Sequence, residues 1–460
     1  MYHYTLVDFI VTPVILAIVF LYFKRHKDKR LEAEPYYKYY LPALFIKIAG
    51  GIGVCLIYTL YYPGGDTVLY FENGKLLSHM FINNPAKMLE ILFRDEISYR
   101  EWFLYDYQST VYPVYTRSLN SFFVLKCTWF LSVFSFNSFL GATVLLNVMT
   151  FPFVWKLYKV FISEFPNLQK EFAIAVFFIP SVAFWGSGLL KDNITFAAVC
   201  LFTHAIYNMF VKRRKYFIHS LQVIFSYYVL TSIKPYIFFA LLPGTFIWLA
   251  GIVLGGIDNK LVRRSTGPII MVVSLVSGYA ALALFGGKLG EYSIENVMTR
   301  AVDVQQDLKQ DYYGGNTFDI GDFEATPISM LSKAHLAITA ALFRPFLWEA
   351  GNIVMLVSAL ENFLLLVFAV YLMIKVRVIY LFRLVLRHHL LVFSLTFSLF
   401  FAFCIGLTTS NFGSMVRYKI PAMPFFLASL IISRELLFEK KKEGETETEE
   451  KVPYFTGAPA

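Results

Sequence analysis

"SVAFWGSGLLKDNITFAAV", residues Ser181–Val199, decides how this chain is read. Apolar residues run up to Lys191-Asp192-Asn193 and apolar residues run away from it, with no loop between them. Two apolar segments that reverse through three polar residues form a tight helical hairpin. Apolar runs of about 20 residues, each enough to cross a bilayer core of about 30 Å, recur along the whole chain. The 460 residues are 57% hydrophobic and 16% charged, against about 25% charged in a soluble globular protein. In lipid every backbone group must be satisfied internally, so the runs are helices. The fold class is an all-α polytopic membrane protein.

Working outward from the hairpin, the apolar runs place spans at 5–23, 38–62, 137–158, 171–189, 193–211, 216–232, 235–256, 267–286, 351–374, 388–408 and 417–434, which makes eleven. Residues 1–436 then form one transmembrane domain with two long outer loops, 63–120 and 287–351, and 437–460 read as a disordered charged tail. Alternate connections are basic: Lys24 to Arg30, then Lys156, Lys159 and Lys170, Lys212-Arg213-Arg214-Lys215, Lys260, Arg263 and Arg264, and Lys375, Arg377, Arg383 and Arg387. The positive-inside rule makes that side cytoplasmic, with the N-terminus outside and the C-terminus inside the plasma (inner) membrane. This accounts for the net charge of +9 without a nucleic-acid partner. The four cysteines, Cys55, Cys127, Cys200 and Cys404, lie in apolar runs without metal-binding spacing and read as buried small hydrophobes.

The outer side collects charges that run against this topology. Asp66 follows Gly64-Gly65, Lys191 and Asp192 sit at the hairpin tip, Lys234 and Arg344 each precede a proline, and Arg417 and Lys419 lie in "SMVRYKIP". A residue before proline is extended or in a turn, where its side chain can face a cleft. Cations at helix ends also snorkel to headgroups without further role. As a set, these residues predict a basic cleft at membrane level that suits a lipid phosphate, with arginine as a planar fork and lysine as a point charge. Asp66 on a flexible turn is the first choice for a general base. Asp95 and Glu96, in "LFRDEISYREWFLYDY", are the second choice for an acidic catalytic residue, although that stretch also reads as an amphipathic surface helix. The acidic stretch 302–324 lacks EF-hand spacing and reads as an acceptor-binding or solvated loop. Lys47 and Glu361, near the middle of their spans, are expected to pair with each other or to mark an ion path. His388-His389 receives no role.

The first outer loop with Gly65-Asp66-Thr67, the Pro180–Asp192 hairpin and the late Arg417-Tyr418 resemble the multi-span GT-C-type glycosyltransferases and, more loosely, the EpsG/Wzy-type polysaccharide polymerases. The resemblance implies a polyprenyl-phosphate sugar donor, a lipid-linked or surface glycan acceptor and a bilayer around the enzyme. It implies Asp66 as catalytic base or metal contact, and a divalent metal stays open as a requirement. The chain departs from the GT-C pattern in having a single acidic residue there, and in placing the loop after the second span. A polymerase with the same cleft, and a transporter or flippase for a lipid phosphate or organic anion, are the alternative readings.

Overall fold

The computed structural model describes residues 2–62, 64–105, 110–255, 294–308, 317–375 and 388–449. The expected span at 267–286 and the basic residues Lys260, Arg263, Arg264, Arg377, Arg383 and Arg387 lie outside them, as do tail residues 450–460.

The described chain is helical throughout, with one isolated β-bridge between Thr317 and Asn411. It begins with α1 (Leu6–Leu31), α2 (Tyr40–Leu56), α3 (Asp66–Asn83), α4 (Pro85–Leu92), α5 (Tyr99–Tyr105), α6 (Leu119–Phe134) and α7 (Phe139–Glu164). Then come α8 (Gln169–Ala173), α9 (Pro180–Trp185), α10 (Lys191–Ile206), α11 (Tyr216–Ile233) and α12 (Pro235–Gly255). The last part contains α13 (Ile294–Asp307), α14 (Pro327–Ser332), α15 (Ala334–Phe343), α16 (Ile353–Lys375), α17 (His389–Thr408), α18 (Phe412–Tyr418) and α19 (Met423–Glu449). Among the described residues, 7 helices are long and apolar enough to cross a bilayer, or 8 if the bent pair α18 and α19 is one span. This all-helical architecture is compatible with a polytopic membrane protein. On α1, Ile10, Val14, Ile18 and Leu21 are exposed along an apolar stripe, which has lipid as its natural solvent.

Four expectations change. The outer loop 63–120 is largely folded: α3 and α6 pack side by side, and α4 and α5 close over them around a small core of Leu77, Met80, Met88, Ile91, Trp102 and Phe122. The expected span 171–189 is broken before Pro180, which opens α9 because proline fits the first helical position but cannot continue a helix. The expected straight span 417–434 is bent by 66° between α18 and α19, across "KIPAMP" with Pro421 and Pro424. The backbone of the expected disordered tail is helical as far as Glu449, in a stretch rich in the strong helix formers Glu, Lys and Leu.

The hairpin around Lys191-Asp192-Asn193 is held from within. Its turn, Gly186–Leu190, exposes carbonyls that lipid cannot satisfy. Lys47 Nζ on α2 donates to the Gly186 carbonyl at 2.8 Å and to Asn193 Oδ1 at 2.9 Å. Asn147 Nδ2 on α7 donates to the Ser187 carbonyl at 2.8 Å, and Asn193 Nδ2 to the Gly188 carbonyl at 3.2 Å. Lys47 reaches the turn because α2 lies directly on α9: a Cβ on Gly50 would collide with the Ala183 carbonyl. The expected Lys47–Glu361 pair therefore does not form. Glu361 instead accepts from the Ser181 backbone N–H and hydroxyl, both at 2.7 Å, at the start of α9. Each charge satisfies a separate break in the helices. Lys47→Met would leave the Gly186 carbonyl without its ammonium donor, and a buried unsatisfied group costs about 1–3 kcal/mol. A clear drop in melting temperature of the detergent-solubilised protein is expected; an unchanged one would show that the turn holds without Lys47.

Candidate functional site: a charged cluster beside an aromatic cavity

The two ends of the bundle differ in chemistry. At one end, Lys159 pairs with Glu34 at 3.6 Å, Lys212 with Glu164 at 3.7 Å and Arg434 with Glu171 at 3.9 Å. Lys159 and Lys212 belong to the basic connections, and Arg434 lies on α19. At the other end α1 and α7 begin together, tied by the Ser138 hydroxyl donating to buried Asp8 at 2.9 Å. Here α2 ends, and here the cluster lies.

Each member is placed by a helix terminus. Gly65, at φ +144°, turns the chain out of α2 where the Tyr58 ring leaves no room for a Cβ. Asp66 is the first residue of α3 and not part of a flexible turn, so its negative charge meets the positive end of the helix dipole. Asp192 occupies the first turn of α10 in the same way. Lys234 is extended, at φ −145° and ψ 78°, between α11 and Pro235, as its place before proline predicts. Arg417 stands in the last turn of α18.

Asp192 is buried at 1% exposure and holds two cations: Lys234 Nζ at 2.5 Å from Oδ1 and Arg417 Nε at 3.4 Å from Oδ2. Arg417 extends the chain of charge by donating to Asp66 Oδ2 at 3.1 Å and to the Tyr58 hydroxyl at 3.3 Å. The Tyr115 hydroxyl donates to Asp66 Oδ1 at 3.2 Å. Burial, and then the Asp66 carboxylate, push that hydroxyl up to about 12, so it remains a donor at neutral pH. Lys234 also lies over the Tyr418 ring, 4.4 Å from its centre. Lys191 donates to the Ser121 hydroxyl at 2.9 Å. Thus Asp192 orients Lys234 and Arg417, not Lys191. Five of the expected residues (Asp66, Lys191, Asp192, Lys234 and Arg417) meet at one end, and their three cations against two carboxylates leave room for an anion.

Arg417 also opens on a cavity of about 470 Å³ whose wall includes Tyr58, Trp185, Asn352, Asn411 and Ser414. Aromatic faces with amides and hydroxyls between them can hold a sugar ring and its hydroxyl groups. The sequence reading missed these residues. The signal was the polar run Thr408 to Ser414 just before Arg417, in which Asn411 Oδ1 accepts from the Ser414 N–H at 3.1 Å and caps α18.

The remaining expected residues lie elsewhere. The Arg344 guanidinium is captured by Glu349, with Nε 3.0 Å from Oε1, and lies over the rings of Phe318 and Phe412. It therefore supports the cavity wall at Phe412 instead of facing the cluster. Lys419 is buried and donates to Asn362 Oδ1. Asp95 and Glu96 are exposed between α4 and α5 and make no hydrogen bond or ion pair with the cluster among the described residues. The ordered carboxylate of that stretch is Glu101, which the Ser98 N–H and hydroxyl and then Arg94 hold down at about 2. Among the described residues no three His, Cys, Asp or Glu side chains gather as a metal site requires. No family model, curated protein or solved structure matches the chain.

Proposed function

We propose that the chain is a membrane glycosyltransferase that moves a sugar from a polyprenyl-phosphate-linked donor to a lipid-linked or surface glycan acceptor on the extracytoplasmic face. The observation that carries this reading is the position of Arg417: one guanidinium is tied to Asp66 and Asp192 and also lines the aromatic cavity. The donor phosphate takes the Arg417 fork, with Lys234 and Lys191 adding positive charge behind it. That exchange releases Asp66 Oδ2 from Arg417, while Tyr115 keeps Oδ1 in place. The acceptor hydroxyl oxygen bonds to the anomeric carbon, and its proton passes to Asp66. The bond between the anomeric carbon and the phosphate oxygen breaks, and the lipid phosphate leaves as an anion against the three cations.

A polymerase of the EpsG/Wzy type would use the same cluster with a longer acceptor. Mass spectrometry of lipid-linked and surface glycans, in cells with and without the gene, separates the two. A missing sugar indicates single transfer, and accumulated short lipid-linked glycans indicate polymerisation. An unchanged glycan profile overturns both. Arg417→Lys keeps the charge but loses the fork, and is expected to weaken donor use by about tenfold or more. Unaltered dependence on donor concentration would reduce Arg417 to a structural ion-pair partner.

A further inference from the structure

At the end of the bundle opposite the cluster lies a second cavity, of about 460 Å³, bounded by Glu164, Tyr207, Arg213, Trp248, His388 and His389. It lies where α7 and α10 end and α17 begins, among the basic connections. Among the described residues its polar lining is not balanced. Glu164, the only carboxylate on this wall among the described residues, accepts the Tyr207 hydroxyl at 2.5 Å and pairs with Lys212 at 3.7 Å. The backbone at Arg213 is left-handed, at φ +50°. In this loop Arg214 Nε turns inward to Asn208 Oδ1 at 3.0 Å, while Arg213 borders the cavity and makes no hydrogen bond or ion pair among the described residues. His388 occupies the position just before α17 in an extended conformation, and its ring rests 5.1 Å from that of Phe165. The opposite wall is apolar, with Trp248 and Leu390 buried beneath it.

One unpaired guanidinium and two imidazoles above an apolar floor match a phosphate that carries a hydrocarbon tail. The fork of arginine binds phosphate through paired hydrogen bonds. Basic pockets between helix ends at headgroup depth are suited to anionic lipid head groups. We propose that this cavity binds the phosphate group of an anionic lipid through Arg213 and His388. The site is separate from the sugar-transfer cluster, and neither reading depends on the other.

Phosphatidic acid is the probe, titrated onto the detergent-solubilised full chain and followed by native mass spectrometry. Arg213→Gln is expected to lower the affinity for the first bound lipid about tenfold, the loss of one charge-assisted contact. His388→Gln is expected to lower it further in combination. Arg213 is exposed, so its replacement does not threaten the fold, and Arg25→Gln, at the same end of the bundle, controls for loose lipid adsorption. Binding that is equal in Arg213→Gln, Arg25→Gln and the unaltered chain overturns the proposal. Inorganic phosphate is tested alone in the same way. Phosphate that binds in an Arg213-dependent manner where phosphatidic acid does not would overturn the lipid source and identify a free-phosphate site.

Discussion

Asp66→Asn is expected to yield a folded protein that transfers sugar about 10²–10⁴-fold more slowly, the usual contribution of a positioned general base. The substitution keeps the shape of the side chain and an oxygen for the Tyr115 hydroxyl, and removes only the charge and the proton acceptor. Stability is expected to change little. The Asp66 side chain is 40% exposed, and its ion pair with Arg417 spans 3.1 Å; exposed pairs are worth about 0–1 kcal/mol. Arg417 retains Asp192 and Tyr58. Transfer measured in membrane vesicles with a fixed amount of folded protein decides the matter. Full activity in this variant would remove Asp66 from the chemistry, leaving the basic cluster to act on the phosphate alone.

Asp192→Ala should fail for the opposite reason, in folding before catalysis. Asp192 is 1% exposed and Lys234 8%, so removing the carboxylate strands a buried ammonium and one arm of the Arg417 guanidinium. Breaking a buried pair by deleting one partner costs about 3–5 kcal/mol, a large part of the roughly 5–15 kcal/mol that holds a domain together. The expected result is a marked fall in melting temperature and in yield. The double variant Asp192→Ala/Lys234→Met separates a stranded charge from a general packing defect: it should recover much of the loss, because no ammonium is left unpaired. Equal melting temperatures for Asp192→Ala and the unaltered protein would show that water reaches this pair.

The charged cluster was legible because its members break a rule that the rest of the chain obeys. Lys191, Lys234 and Arg417 are cations on the side that the positive-inside pattern leaves poor in them, and each lies at the end of an apolar run. Sequence position could not say which way a side chain turns. Arg344 has the same place before proline as Lys234, and both are extended. Arg344 has Glu349 five residues on, however, and is captured locally. Lys419 follows Arg417 by two residues, roughly 200° around a helix, and so faces Asn362 instead of Asp192. The intramembrane partners of Lys47 were hidden for a different reason. They are the Gly186 carbonyl and the Asn193 side-chain oxygen; a carbonyl has no signature in a sequence, and Asn193 is neutral and gives no charge to pair with. The folded first loop was missed because α3, "DTVLYFENGKLLSHMFIN", mixes Glu, Asn, Lys and His among its apolar residues and shows no long hydrophobic run.

The Gly186–Leu190 turn has its open carbonyls bonded by Lys47, Asn147 and Asn193. Asn193 sits one residue after Asp192. The anchor of the charged cluster is thus wired from the interior, by buried side chains that neither solvent nor head groups can compete with. A scaffold built in this way does not take its shape from its surroundings. Swapping short-chain for long-chain lipids, or a fluid bilayer for a stiff one, is expected to leave the spacing of Asp192, Lys234 and Arg417 as it is.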